Sequence, residues 1–206
     1  MGFGFLDVAV TPSVRAFQEQ HGVSQMWENF GGNRDFDRFT EQEQRFIAER
    51  DSFYMATTSE TGWPYVQHRG GPQGFLKVLD ERTLAFADYR GNFQYISMGN
   101  LSASDKACLF LMDYPRRTRL KIYVHAEVVQ IDEDGELAAA VLEGTRAKAE
   151  RIVRLRLQNF DWNCPQHIVP RYTEAQIEDG LRPIRDRLSA LEAENATLRA
   201  QIHKTP

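Results

Sequence analysis

P-Y-V-Q-H-R-G-G-P-Q-G-F-L-K-V-L-D, residues 64–80, runs directly into E-R-T-L-A-F-A-D-Y-R-G-N-F-Q-Y-I-S-M-G-N, residues 81–100. Two strand-like runs, Pro64 to Arg69 and Thr83 to Ala87, flank a segment rich in Gly and Pro. Each run ends in polar and cationic groups beside glycine. Gln67, His68 and Arg69 precede Gly70 and Gly71, while Asp88, Arg90, Asn92 and Gln94 surround Gly91. Glycine lets a backbone N–H approach a ligand closely. Arginine holds phosphate through paired charge-assisted hydrogen bonds, and turns that expose successive N–H groups bind anions. Together these residues predict a β-rich site for a phosphorylated small molecule.

Upstream, Phe53 to Thr58 reads as a strand. The Thr61-Gly62 turn joins it to the strand ending at Arg69 as a hairpin. Thr40 to Arg50 reads as a helix, with Thr40 and Glu43 spaced as a capping box. A shorter helix starts at Thr11-Pro12-Ser13, turns Val14, Phe17 and His21 to one face, and stops at Gly22; Gly31-Gly32-Asn33 is a loop. Residues 1–39 are expected to pack across the central domain as an arm.

Downstream, Gln94 to Leu101 reads as a short helix, and Lys106 to Asp113 as an apolar strand that buries Cys108. Arg119 to Ile131 alternates, with Leu120, Ile122 and Val124 on one face and Lys121, Tyr123 and His125 on the other. Leu137, Val141, Leu142, Ile152, Leu155 and Leu157 predict a helix over residues 136–160, broken near Gly144, followed by an irregular stretch to Arg171. Ile177, Leu181, Ile184, Leu188, Leu191, Asn195, Leu198 and Ile202 follow a 4-3 spacing, the seam of a coiled coil. A lone Asn at an a position specifies register and two strands. Pro183 lies off that seam.

The 206 residues suffice for one domain with an appendage. A net charge of −4 argues against a general nucleic-acid binder, although Arg116, Arg117, Arg119 and Lys121 cluster locally. Two cysteines, Cys108 and Cys164, make no disulfide framework. No apolar run approaches the ~18 residues of a membrane span, and the first ten residues lack a basic signal region. The expectation is a cytoplasmic protein with no membrane partner. Cys164 and His167 are too few for a closed zinc site, so no metal is expected. P-loop and dinucleotide fingerprints are absent.

G-x-P-Y-x-Q-x-R over residues 62–69 and L-x-F-A-D-x-x-G-N-x-Q-Y-I over residues 84–96 resemble the pyridoxamine 5′-phosphate oxidase-related split-barrel flavoproteins, most of all an FMN-binding bacterial branch. The resemblance spans roughly Thr11 to Tyr172. It implies an α+β, mainly β fold: an FMN-binding split barrel over residues 40–172, with flanking helices and a C-terminal coiled-coil helix over residues 173–206. It implies FMN held between the subunits of a homodimer, the helix extending this to a possible tetramer, and flavin-dependent oxidoreduction of a small molecule. Gln67, His68, Arg69, Gly70, Gly71, Asp88, Arg90, Asn92 and Gln94 are the implied phosphate-side contacts. Arg119 or Lys121 would project toward the flavin, and Trp162 with Asn163 would reach it across the dimer. Lys77 is a nearby counterpart of a family lysine. The sequence departs from the family where an Arg-Lys pair gives way to Phe93-Gln94, and its substrate-phosphate motif is not clear here. No catalytic acid or base stands out. The alternatives are a deazaflavin-dependent reductase, or a non-enzymatic flavin-binding, stress-related module whose coiled coil recruits a partner.

Overall fold

The computed structural model describes residues 4–28, 37–143, 148–162 and 165–202. Two compact units emerge, one formed by residues 1–113 and 117–166, the other by residues 114–116 and 167–206.

In the first unit seven strands form one antiparallel sheet: β1 (Ser52–Thr58), β2 (Pro64–Gly70), β3 (Lys77–Asp80), β4 (Thr83–Tyr89), β5 (Lys106–Asp113), β6 (Thr118–Gln130) and β7 (Ala149–Trp162). Their order is β2-β1-β5-β6-β7-β4-β3. Laid flat, β2 and β4 would stand about 24 Å apart, five strand spacings of ~4.8 Å. Instead Arg69 of β2 touches Asp88 of β4 at 2.6 Å. The sheet is therefore curled into a split barrel whose two ends meet through side chains rather than a hydrogen-bonded ladder.

Alternation decides what fills the barrel. Phe53, Met55, Leu84, Phe86, Leu109, Leu111, Leu120, Ile122, Val153, Leu155 and Phe160 form the inner face, almost all without solvent contact. Burying each such side chain contributes roughly 1.5–3 kcal/mol. Phe53 packs edge-on against Phe86 and stacks on Phe75, bridging the two ends of the sheet. A second, smaller core lies outside, where α6 (Gly135–Leu142) sets Leu137, Ala138 and Val141 on Ala85, Ala87 and Ile152.

The helix expected over residues 136–160 is two elements. Among the described residues of this span only Gly135–Leu142 is helical, and Ala149–Trp162 is the strand β7. The Ile152–Leu155 spacing imitates a helix. The stronger pattern is Val153, Leu155 and Leu157 alternating with Arg154, Arg156 and Gln158, which suits a strand hydrogen-bonded to both β6 and β4. The strand carries on to Trp162, so the stretch read as irregular begins later. Gly144 and Gly31-Gly32-Asn33 lie outside the described residues. Cys108 is only half-buried, because alternation gives the inner face to Ala107, Leu109 and Leu111.

Before the barrel come α1 (Phe5–Ala9), α2 (Pro12–Gln20), α3 (Ser24–Glu28) and α4 (Glu41–Ala48). From α1, Phe5 packs against Tyr123 on the outer face of β6. The shared face of α2 exists but buries nothing: Val14 and Phe17 stay exposed. α4 starts at the capping box read from Thr40 and Glu43. Buried Glu43 also accepts the indole N–H of Trp162 at 2.7 Å. One carboxylate thus ties the start of the barrel's first helix to the end of its last strand. Between β4 and β5 lies α5 (Ile96–Ala103).

In the second unit α7 (Glu174–Ile202) runs unbroken through Pro183. Arg171 stacks over Tyr114 nearby.

Replacing Glu43 by Ala removes its half of the capping box and strands a half-buried indole donor. The expected loss is about 2–4 kcal/mol in urea denaturation. A loss below roughly 0.5 kcal/mol, that of an ordinary surface change, would show that the Glu43 bridge contributes nothing to stability.

Candidate functional site

Where the two ends of the barrel meet, β2, β4 and the start of α5 line a cleft open to solvent. Its polar lining includes Gln67, Arg69, Asp88, Asn92 and Gln94. Strand alternation explains part of this set. Gln67 and Arg69 are paired with Met55 and Phe53 and share their inward face. Asp88 follows Leu84 and Phe86 on the inner face of β4 and pairs with Arg151 of β7.

Asp88 is buried. Arg69 donates to one of its oxygens at 2.6 Å, and Arg151 lies 3.2 Å from the other. Burial pushes the Asp88 carboxyl above its ordinary value; Arg69 and then Arg151 pull it back without cancelling that effect. Arg151 also meets Glu150, which Arg90 holds at 2.7 Å. Arg90 and Glu150 are mutually stabilised as ions: their hydrogen bond raises the arginine and lowers the carboxyl. Three guanidinium groups thus meet two carboxylates, leaving the cluster one net positive charge. The Nε of Arg69 is buried with no hydrogen-bond partner among the described residues. A buried donor without an acceptor is costly, and an anion in the cleft would supply one.

The third wall is backbone. Gly91, Phe93 and Tyr95 have φ of 57°, 64° and 50°, alternating with residues of negative φ. Within this loop the Phe93 N–H donates to the Arg90 carbonyl at 3.4 Å and the Gln94 N–H to Oδ1 of Asn92 at 3.2 Å, so the turn is held by its own hydrogen bonds. Tyr95 is the N-cap of α5 and provides no side-chain cap. The first N–H groups of the helix are left to water or a ligand. Ser97 donates to Oε1 of Gln67 at 3.1 Å, and Asn100 to Thr57 at 2.9 Å, pinning α5 to β2 and β1. With its oxygen so engaged, the amide nitrogen of Gln67 remains a donor for the cleft.

The structure thus brings Gln67, Arg69, Asp88, Arg90, Asn92 and Gln94 together. It separates the others. His68 falls on the opposite face of β2, edge-on to Tyr54. Gly70 and Gly71 follow at the end of β2: Gly71 donates to the Asp51 carbonyl at 2.9 Å, and a Cβ there would strike the Phe75 ring at 2.7 Å. Lys77 pairs with Ala85, on the outer face. Arg119 and Lys121 lie on the outer face of β6. Lys121 sits over the Phe5 ring, 3.8 Å from Asp161, and Arg119 keeps a buried Nε without a hydrogen-bond partner among the described residues. Trp162 is engaged within its own chain by Glu43 and by an edge-on contact with Phe46. Asn163 and Cys164 lie outside the described residues. Sequence reasoning missed Arg151 and Glu150, because residues 136–160 were read as helix. An Arg in register with Asp88 is visible only once β7 is a strand.

Among the described residues no group of three or more His, Cys, Asp or Glu could hold a metal, and no helix is long and apolar enough to cross a membrane.

A family profile described as pyridoxamine 5′-phosphate oxidase matches residues 39–162. The chain belongs to the pyridoxamine 5′-phosphate oxidase family, with the split barrel of that family's FMN-binding members. Among solved structures it is similar to HupZ of Group A Streptococcus, 14% identical over 65% of this chain and 100% of that one, TM-score 0.51. It is also similar to an FMN-binding protein from Syntrophomonas wolfei, 15% identical over 71% and 97%, TM-score 0.48. A third is a Clostridium acetobutylicum protein related to general stress protein 26, 10% identical over 59% and 85%, TM-score 0.43. No curated protein matches the chain in sequence.

Asp88→Ala removes the carboxylate shared by two largely buried arginines. Breaking a buried ion pair from one side costs roughly 3–5 kcal/mol, measurable by urea denaturation. A variant of wild-type stability would show that the two ends of the barrel close without this cluster.

Proposed function

We propose that the chain binds FMN with its phosphate in the cleft at the start of α5, and acts as a flavin-dependent oxidoreductase on a small molecule, as a homodimer. The observation that carries this reading is the pairing of a net positive arginine cluster with an uncapped helix N-terminus in one cleft. Both favour a doubly charged phosphate, and neither serves an apolar ligand. The residues fit the cofactor that family membership implies.

In this reading Arg69 and the amide nitrogen of Gln67 hold phosphate oxygens. Asp88 does not bind; it fixes the Arg69 head, so little rotamer freedom is lost when the ligand arrives. The N–H groups of Ile96 and Ser97 complete the cradle, and Asn92 and Gln94 shape its mouth. Bound FMN would supply electron transfer through its isoalloxazine ring, while the protein supplies binding and orientation. Arg119, with its unsatisfied Nε, is available to the flavin or to a second subunit on the outer face. That face also exposes Val66 and Tyr54, which a homodimer would cover.

The purified protein is expected to show flavin absorption, with FMN in the released chromophore by mass. A deazaflavin mass would replace the cofactor assignment while leaving the phosphate cleft intact. Arg69→Ala should weaken FMN binding by about 1.5–3 kcal/mol in a fluorescence titration, as loss of a charge-assisted hydrogen bond does. Unchanged affinity would remove Arg69 from the site. Anaerobic NADH or NADPH should bleach the flavin. A flavin that stays oxidised with both would make the protein a binding module instead of a reductase of this type.

A further inference from the structure

The seam of α7 is uncovered from Ile177 to Leu198. Ile177, Leu181, Ile184, Leu188, Leu191 and Leu198 are 38–64% exposed. A helix with one continuous apolar stripe in water lacks the packing that stabilises most protein helices. The heptad names what would cover it. The a positions are Leu181, Leu188, Asn195 and Ile202, and the d positions are Ile177, Ile184, Leu191 and Leu198.

The flanks of the seam carry the decisive information. In a parallel pair each g residue faces the e residue five positions later on the other helix. Arg187 at g then meets Glu192 of the partner subunit, and Glu194 at g meets Arg199 of the partner subunit. Both are opposite-charge pairs, and each recurs on the other side of the coil. All four residues are exposed, and among the described residues none has an ion-pair partner in its own chain. Asn195 points the same way. Only a parallel, in-register pair sets Asn195 against its own copy, where each amide can donate to the other. An antiparallel pair would bury it against leucine or isoleucine. In the first half of the seam, Leu at a with Ile at d also suits four strands. The Leu191-Asn195-Leu198 layers, with charge pairs on both sides, belong to two.

We infer that α7 is a homotypic docking surface, pairing with α7 of a second copy as a parallel, in-register, two-stranded coiled coil centred on Asn195. Parallel pairing brings both copies of Glu174 to the same end of the coil. This inference rests on α7 alone and stands or falls apart from the flavin reading.

The test uses the full chain with Cys108 and Cys164 replaced by Ser. A disulfide requires Cα atoms within about 7 Å, which a parallel register grants at residue 195 and denies on the outside of the coil. Under mild oxidation N195C should give covalent dimers at least about tenfold faster than A193C, which lies at an outer f position. R187E/E194R places like charges in both flanking pairs. In the N195C background it should lose this advantage alone, and recover it when mixed with the complementary E192R/R199E chain. Equal rates at residues 195 and 193 would overturn the proposal. So would crosslinking that ignores the charge reversals, since contact would then come from the barrels or from an antiparallel pairing. Circular dichroism of each variant checks that the barrel remains folded, and a Lys substitution at Ala193 gives a second variant that should leave crosslinking at residue 195 unchanged.

Discussion

The ion pair between Arg69 and Asp88 joins two strands that share no backbone hydrogen bonds. The strand order leaves β2 and β4 near opposite ends of one sheet, and the barrel exists because those ends meet. Phe53 and Phe86 supply the apolar part of that contact, but apolar packing alone tolerates sliding. A buried carboxylate held from two sides by Arg69 and Arg151 does not, because moving either arginine strands a charge away from water. The same cluster that closes the barrel gives the cleft its positive charge. In the proposed reading, closure and phosphate binding depend on one set of side chains.

The cleft costs the free protein stability. Tyr95 and Phe93 occupy left-handed conformations, which are unfavourable by about 1–3 kcal/mol each when the residue is not glycine. The helix they introduce lacks a side-chain cap, and the Nε of Arg69 has no acceptor. The bonds from Ser97 to Gln67 and from Asn100 to Thr57 hold α5 in place against these costs. An anionic ligand that satisfies the exposed donors would return some of that free energy, coupling occupancy to stability.

Much of this was legible in the sequence. The hairpin, the alternation of Leu120, Ile122 and Val124, and the capping box at Thr40 follow from local chemistry, and all appear in the fold. Asp88 and Arg69 were visible as polar endings of two strands. That they form a pair was not, because residues 19 apart in sequence meet only through the curl of the whole sheet. His68 was grouped with Arg69 by adjacency, yet a strand sends neighbours to opposite faces. Gly71 has the Phe75 ring and the Asp51 carbonyl against it, neighbours that no local pattern announces. Arg151 was hidden by a false helical stripe. The unseen Arg69–Asp88 pair and the separation of His68 from Arg69 have one cause: proximity in sequence does not give proximity in space.

The most direct measurement is the affinity of the apoprotein for FMN against riboflavin, two ligands that differ only in the phosphate. If the arginine cluster and the start of α5 hold that phosphate, FMN binds roughly 100-fold more tightly, the equivalent of about 2.7 kcal/mol in charge-assisted hydrogen bonds. Equal affinities would mean that the cleft does not recognise the phosphate, and would contradict this account of the site.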